Sequence, residues 1–205
     1  MTKQPDILFE NFDFLAESPH GVENVRELIV QMAVRGKLVS QISSDQPAAE
    51  LLKRIKRNSV AMIDDDELPF ELPIGWAWFR VGNVFSFEYG DSLPASKRDD
   101  QGKYPVYGSN GIVGQHDAYL IKDRAIIVGR KGSCGALNLT DGPSWATDVC
   151  YYVIPPDGVD LNFAFLLLES IHLEELGKGI KPGLNRNEAY RLIAALPPTN
   201  EQRRI

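Results

Sequence analysis

The chain has 205 residues, enough for one globular domain and an accessory helical segment. Its net charge of -6 shows that the protein is not basic throughout. The basic residues are nevertheless concentrated in particular segments of the sequence. Residues 90–135 carry seven basic and five acidic residues, whereas residues 136–176 carry seven acidic residues and no basic one. This asymmetry permits a basic face on an acidic body.

Signals for membrane insertion or export do not occur in the sequence. It has no run of about 18 apolar residues, as a membrane-spanning helix would need, and its first residues lack the apolar core of a signal peptide. The two cysteines, Cys134 and Cys150, are too few for a disulfide framework. We therefore predict a cytoplasmic protein with reduced thiols and no membrane partner.

Apolar residues at helical spacing characterise the first part of the chain. Gly36 ends the first predicted helix, and Pro47 begins the second. Because an apolar stripe must be covered by the chain itself or by a partner, we expect these helices to bind another protein. The predicted helical segment spans residues 1–63, and its partner-binding residues are Val25, Leu28, Ile29, Met32, Leu51, Leu52 and Ile55.

The acidic run from Asp64 to Glu67 reads as a linker, since it lacks the spacing of a calcium loop. Short apolar runs bounded by Gly, Pro and Asn then predict strands. These runs are residues 78–81, 106–107, 118–120, 126–128, 136–139, 149–154 and 192–196. A helix capped by Asn162 and ending at Leu176 interrupts them, and another helix begins at Thr199.

These elements together predict an α+β fold. The helical segment precedes a mixed α/β domain, residues 64–198, with a twisted, mostly antiparallel sheet and glycine-rich loops. Residues 199–205 are expected to start a further helix, in which the sequence stops.

Glycine-rich loops are the most distinctive local feature. One loop is Gly108-Ser-Asn-Gly, a second is Gly129-Arg-Lys-Gly, and a third runs from Gly177 to Arg186. Glycine permits positive φ and lets backbone amides point outward together, so loops with cations suit anions. Ordinary hairpin turns with solvated charges are the alternative interpretation.

The sequence contains no motif for catalysis or metal binding that we recognise. It lacks a phosphate-binding P-loop and a His-Glu-x-x-His motif, and His20, His116 and His172 are scattered. Ser133-Cys134 beside Lys131 has no identifiable base, so a hydrolase using Cys134 is kept only as an alternative. We predict a binding module with no catalytic residue, no cofactor and no metal.

Several motifs in a fixed order resemble the DNA-specificity subunits of type I restriction–modification systems. The motifs are Leu72-Pro-Ile-Gly-Trp-Ala-Trp, Tyr107-Gly-Ser-Asn-Gly-Ile-Val-Gly, Ile127-Val-Gly-Arg-Lys-Gly-Ser-Cys-Gly, Trp145 with Asp148, Pro182-Gly-Leu-Asn-Arg and Leu196-Pro-Pro-Thr-Asn-Glu-Gln-Arg-Arg-Ile. The resemblance implies that residues 64–198 are a target recognition domain and that residues 199–205 begin the family's long conserved helix. Such subunits contain two recognition domains. This sequence is then a part of one, or a half-length subunit that pairs with itself.

The resemblance also implies partners. They are double-stranded DNA, the methyltransferase subunits and, through the complex, the restriction subunit. Adenine methylation and DNA cleavage would belong to those other subunits, which agrees with the missing catalytic motifs. The alternative is an assembly scaffold that binds methyltransferase subunits without binding DNA by itself.

Residues for DNA binding fall into two predicted groups. Motifs shared by domains with different targets cannot specify sequence, so we expect them to shape loops and contact phosphate. These are Tyr107, Ser109, Asn110, Arg130, Lys131, Asn185 and Arg186. The candidates for base readout lie between the motifs and are Lys97, Arg98, Gln115, Lys178 and Lys181. For each single residue, a solvated surface charge is the alternative.

Overall fold

The computed structural model describes residues 19–55, 63–177 and 183–205 of the chain. Two of the predicted base-readout residues, Lys178 and Lys181, lie outside the described residues. Of the helices described, none is long and apolar enough to cross a membrane.

Helices and strands alternate along the described residues in an α+β fold. The helices are α1 Gly21–Val34, α2 Ala48–Ile55, α3 Val81–Val84, α4 Leu161–Ser170, α5 Arg186–Ala189 and α6 Thr199–Gln202. The strands are β1 Ala77–Arg80, β2 Glu88–Tyr89, β3 Tyr104–Gly108, β4 Gly111–His116, β5 Ile126–Gly129, β6 Leu137–Leu139, β7 Trp145–Ala146, β8 Cys150–Val153 and β9 Ile193–Leu196. Short 3₁₀ turns occur at Asp65–Glu67, Ala95–Lys97 and Leu173–Leu176.

The strands that the structure describes form three small sheets. One has the strand order β2-β8-β5-β6, a second has the order β4-β3-β7, and a third consists of β1 and β9. Pairing is antiparallel except between β3 and β7, which run parallel. A register shift interrupts the β3–β4 hairpin between Val106 and Tyr107. The mostly antiparallel arrangement agrees with the sequence, although the strands divide among sheets.

Two predicted elements differ from the structure. Residues 118–120 are not a strand; the following residue, Ile121, makes one isolated bridge to Ser144. The predicted helix after residue 160 is capped by Asp160 rather than Asn162, because the Asp160 carboxylate accepts the N–H groups of Asn162 and Phe163. It ends at Ser170, and His172 takes a positive φ of 48° before a 3₁₀ turn.

The larger of two apolar clusters among the described residues joins the N-terminal helices to the strands. Val34, Ala48 and Leu51 from the region of α1 and α2 share it with Phe79 and Phe163. A surface ion pair of 2.8 Å between Arg26 and Glu169 lies where α1 packs against α4. Burial of these apolar side chains, rather than the ion pair, holds the helices in place. The domain boundary at residue 63 stays a prediction.

A buried carboxylate connects α6 to two segments that precede β1. Glu201 in α6 is only 1% exposed and accepts hydrogen bonds from Trp76 Nε1 (3.1 Å) and Gln41 Nε2 (3.0 Å). The adjacent Gln202 donates to the Pro197 carbonyl (3.0 Å) and accepts from the Asp160 N–H (2.7 Å). Because a buried charge is costly without donors, these bonds fix the start of α6 against the body of the protein.

We expect Trp76→Phe to lower the free energy of unfolding by about 1–3 kcal/mol, because the buried Glu201 carboxylate then loses a donor. Chemical denaturation measures the change. Trp78→Phe is the matched control, since Trp78 is half-buried and packs edge-on against Phe70 at 4.8 Å. An equal loss for both variants would show that ring size, and not the hydrogen bond, decides stability.

Candidate nucleic-acid interface

Three glycine-bearing segments meet at the end of β5. The backbone at Gly129 leaves no room for a side chain, because a Cβ there would collide with the carbonyl oxygens of Ser133 and Ser109. The β3–β4 turn therefore lies directly against the loop that follows β5. On the other side of that loop, Lys131 forms an isolated bridge with Gly183. Segments far apart in sequence are thus held at one place.

Backbone hydrogen bonds fix Arg130 at this junction. The N–H groups of Arg130 and Lys131 both donate to the Val149 carbonyl, at 2.9 and 3.0 Å. The Leu184 N–H donates to the Arg130 carbonyl at 2.8 Å. With its backbone held from two directions, Arg130 has a defined position from which its side chain extends.

Two arginines converge on one tyrosine, and we call Tyr89, Arg130 and Arg186 the arginine cluster. The guanidinium carbons of Arg130 and Arg186 lie 4.8 and 4.7 Å from the centroid of the Tyr89 ring. Nη1 of Arg130 also donates to the Asp148 carbonyl (2.8 Å), and Nη1 of Arg186 donates to the Phe87 carbonyl (3.2 Å). The Arg130 guanidinium carbon lies, in addition, 5.7 Å from the centroid of the Tyr151 ring. Each guanidinium is therefore held by the Tyr89 ring and by one carbonyl, and Arg130 has Tyr151 as a second, more distant ring.

The positive charge of the arginine cluster is not neutralised by a neighbouring ion pair. Within the described part of the chain, no carboxylate lies within 4.0 Å of either guanidinium. Burial, and then a hydrogen bond with Tyr89, raise the pKa of the adjacent Tyr151, while both arginines oppose that shift. The Tyr151 hydroxyl therefore adds no negative charge beside the two arginines at physiological pH.

Most of the predicted phosphate-contacting residues lie on the loops that meet at Arg130 or at the start of the helix that contains Arg186. Lys131 is exposed, and Asn110 is exposed on the β3–β4 turn. Ser109 is half-buried beside Gly132. The Asn185 side chain accepts the N–H of Asn187 (2.9 Å) and so caps α5, whose first residue is Arg186. Asn185 therefore positions Arg186.

Tyr107 does not have the surface that phosphate contact requires. Its ring is buried in a small core with Ile127 and Ala146, and its hydroxyl donates to the Leu139 carbonyl at 3.5 Å. Burial raises the pKa of Tyr107. The burial of the Tyr107 side chain favours the loop-shaping part of its predicted role over phosphate contact.

Three predicted base-readout residues lie on or beside the loop formed by residues 91–103. Lys97 is exposed on the 3₁₀ turn of that loop. Arg98 donates twice to the Leu93 carbonyl (3.0 and 2.8 Å), so its guanidinium braces the loop. The backbone of Gln115 pairs with Asp99 through two hydrogen bonds of 2.9 Å. Lys97 is the member of this group best placed to reach a base edge.

The predicted partner-binding stripes divide into buried and exposed parts. Val25 and Leu51 are buried within the chain itself, whereas Leu28 and Ile29 are 45% and 36% exposed on α1. The remaining members, Met32, Leu52 and Ile55, are half-buried. Only the exposed pair offers a large apolar surface to another protein.

Sequence reasoning did not find Tyr89. Nothing in its local sequence separates it from the other tyrosines, because both of its arginine partners are far along the chain. The only local signal is its place at the end of an apolar run, just before a polar loop.

The structure offers no support for catalysis at Cys134. Burial, and then the Glu174 carboxylate, raise the pKa of this thiol, which is the reverse of nucleophile activation. The described residues also contain no group of three or more His, Cys, Asp or Glu side chains that could hold a metal ion. The arrangement is suited to binding an anion.

Comparisons with known proteins agree on one family. The family model for the type I restriction modification DNA specificity domain matches residues 73–205. The specificity subunit of the Escherichia coli type I restriction enzyme EcoEI is 35% identical over 111 residues, which are 47% of this chain and 19% of that protein. The EcoAI specificity subunit from E. coli is 41% identical over 95 residues, which are 40% of this chain and 16% of that protein.

Solved structures show the same fold. The S subunit of a type I restriction-modification system from M. genitalium superposes with a TM-score of 0.58 at 22% identity. The match covers 67% of this chain and 38% of that subunit. The chain therefore spans less than half of the length of each of these relatives.

We expect Gly129→Ala to lower the free energy of unfolding by about 1–3 kcal/mol, because the added methyl forces apart the two loops that meet there. Gly142→Ala is the matched control, since a Cβ at Gly142 meets nothing within 4 Å. That variant should stay within about 0.5 kcal/mol of the original chain. Equal unfolding midpoints for the two variants would contradict the close approach at Gly129.

Proposed function

The chain belongs to the family of type I restriction-modification DNA specificity domains, and from that premise we propose that it reads a double-stranded DNA target for partner subunits that carry out the chemistry. In this proposal the chain itself is not catalytic. It positions a duplex, and methylation of adenine and cleavage are performed by the other subunits.

The observation that carries the proposal is the arginine cluster with its surrounding loops. Arg130 and Arg186 are brought together from distant segments, and exposed Lys131 and Asn110 lie on the loops that meet there. Guanidinium groups match phosphate oxygens with paired hydrogen bonds, and backbone N–H groups of glycine-rich turns add donors. We assign this surface to phosphate contact, which sets the orientation of the duplex.

Sequence readout is assigned to the loop of residues 91–103 and to the segment around Lys178 and Lys181. Lys97 is exposed on that first loop, which begins two residues after Tyr89. Lysine can donate to guanine O6 and N7 in the major groove. Arg98 and Gln115 support the loop and are secondary candidates.

We propose that the chain acts within a larger complex. The partners are the methyltransferase subunits and, through them, the restriction subunit; pairing with a second copy remains part of the proposal. Residues 1–63 would bind partners, residues 64–198 would read DNA, and residues 199–205 would begin the connecting helix. Exposed Leu28 and Ile29 support the first of these roles.

We expect Arg130→Ala to weaken binding to every duplex and to reduce the slope of log K against log salt by about 0.9, because one phosphate contact is lost. Lys97→Ala should instead flatten the sequence preference selected from a randomised duplex pool. Fluorescence anisotropy at several salt concentrations, with sequencing of the bound pool, measures both effects.

The control for this pair is Arg35→Ala. Arg35 is also an exposed arginine stacked on an aromatic ring, 5.4 Å from the centroid of Phe70, but it follows α1. This variant should bind DNA like the original chain. If Lys97→Ala changes the salt slope and Arg130→Ala changes the sequence preference, the two assigned roles are reversed and the proposal is wrong in its details.

A second candidate function is an assembly scaffold, favoured by the exposed apolar residues of α1. We expect Leu28→Glu to abolish association with the methyltransferase subunits while the salt slope of DNA binding stays the same. Co-purification from cells that express all subunits measures the association. Substitution is preferable to deleting α1, because Val34 belongs to the shared core.

Ile112→Glu serves as the control, since Ile112 is another exposed aliphatic residue, on β4. That variant should keep its methyltransferase partners. An original chain that assembles normally but never binds DNA, in or out of the complex, would leave only the scaffold function.

A further inference from the structure

Tyr89 is only partly buried, so packing in the core does not explain why a tyrosine stands at this position. It belongs to β2, an edge strand of two residues, and 48% of its surface is exposed. Its ring lies 5.0 Å from that of Tyr151. A partly exposed tyrosine on a short edge strand contributes little to the core, so its contacts with two arginines need another explanation.

The arginines gain a fixed orientation from these contacts. Arginine side chains have several rotatable bonds, and ordering one on binding costs free energy. Each guanidinium in the cluster uses one of its five N–H donors on a backbone carbonyl of the described residues. The Tyr89 ring is the nearer ring for Arg130, at 4.8 Å against 5.7 Å for Tyr151, and it also contacts Arg186 at 4.7 Å. The other donors point to no carboxylate within 4.0 Å among the residues described.

We propose that Tyr89 is a positioning residue that holds Arg130 and Arg186 ready to bind the phosphates of one DNA strand. The inference rests on the proposed function and adds a residue to it. Tyr89 acts through the arginines: its ring lowers the ordering cost of phosphate binding and reads no base itself. The aromatic ring of Tyr89 contacts the two guanidiniums, whereas its hydroxyl hydrogen-bonds with Tyr151.

The test compares Tyr89→Ala, Tyr89→Phe and Tyr119→Ala in anisotropy titrations with a mixed-sequence duplex at several salt concentrations. Tyr89→Ala should lower affinity roughly 5- to 50-fold at every salt concentration, because two arginines must then be ordered on binding. The slope against log salt should not change, since both charges remain. Tyr89→Phe should restore the affinity.

Tyr119→Ala controls for the loss of an exposed tyrosine ring. Tyr119 is 45% exposed and packs against Tyr104 at 5.1 Å, on another part of the fold. It should bind DNA normally. Unfolding midpoints of all variants are measured in parallel, so that DNA affinities are compared only among variants that are folded.

A double-mutant cycle decides whether Tyr89 acts through the arginines. In the Arg130→Ala, Arg186→Ala background, Tyr89→Ala should cause no further loss. A persisting loss, or an altered sequence preference, would mean that Tyr89 touches DNA itself and would overturn the inference. If Arg130→Ala and Arg186→Ala leave DNA affinity unchanged, the phosphate contacts assigned in the proposed function are wrong. If these variants weaken binding but Tyr89→Ala does not, only the inference about Tyr89 is wrong.

Discussion

The close approach of two backbones at Gly129 is the constraint on which the interface depends. Because Gly129 has no side chain, the β3–β4 turn can pack directly against the loop after β5. Arg130 is the next residue in that loop. The bridge between Lys131 and Gly183 then brings in the segment that contains Arg186. Three parts of the chain are thereby held close together, and no ion pair joins the residues of these parts that the structure describes.

A chain with a net charge of -6 gains little from long-range attraction to DNA. In the proposed function, the affinity for DNA therefore has to come from short-range contacts, where charges are fixed and partly desolvated. Arg130 and Arg186 are half-buried, which reduces screening by water, and carbonyl groups rather than carboxylates hold them. An ion pair would have fixed the arginines equally well, but it would have cancelled the charge that phosphate binding uses.

The sequence predicts those parts of the fold that depend on local pattern. The apolar runs predicted at residues 126–128 and 149–154 are strands at Ile126–Gly129 and Cys150–Val153. The glycine-rich stretch from Gly108 to Gly111, predicted as a turn, joins β3 to β4. The helix expected to reach Leu176 ends earlier because His172 takes a left-handed conformation. The sequence did not single out Tyr89 or predict the burial of Tyr107, because the surroundings of both residues come from distant segments, which periodicity does not report.

The loop of residues 91–103 has a backbone that hydrogen bonds hold in place and an exposed side chain, Lys97, that takes part in none of these bonds. Its first residue is held by two hydrogen bonds, from the Asp91 N–H to the Ala146 carbonyl (2.9 Å) and from Trp145 Nε1 to the Asp91 carbonyl (3.0 Å). Arg98 and Asp99 anchor its middle. Since Lys97 projects between these anchors, its side chain can be exchanged without disturbing the backbone. Under the proposed function, the anchored arginines would set the orientation on DNA, and the residues between the anchors of this loop would set the sequence preference.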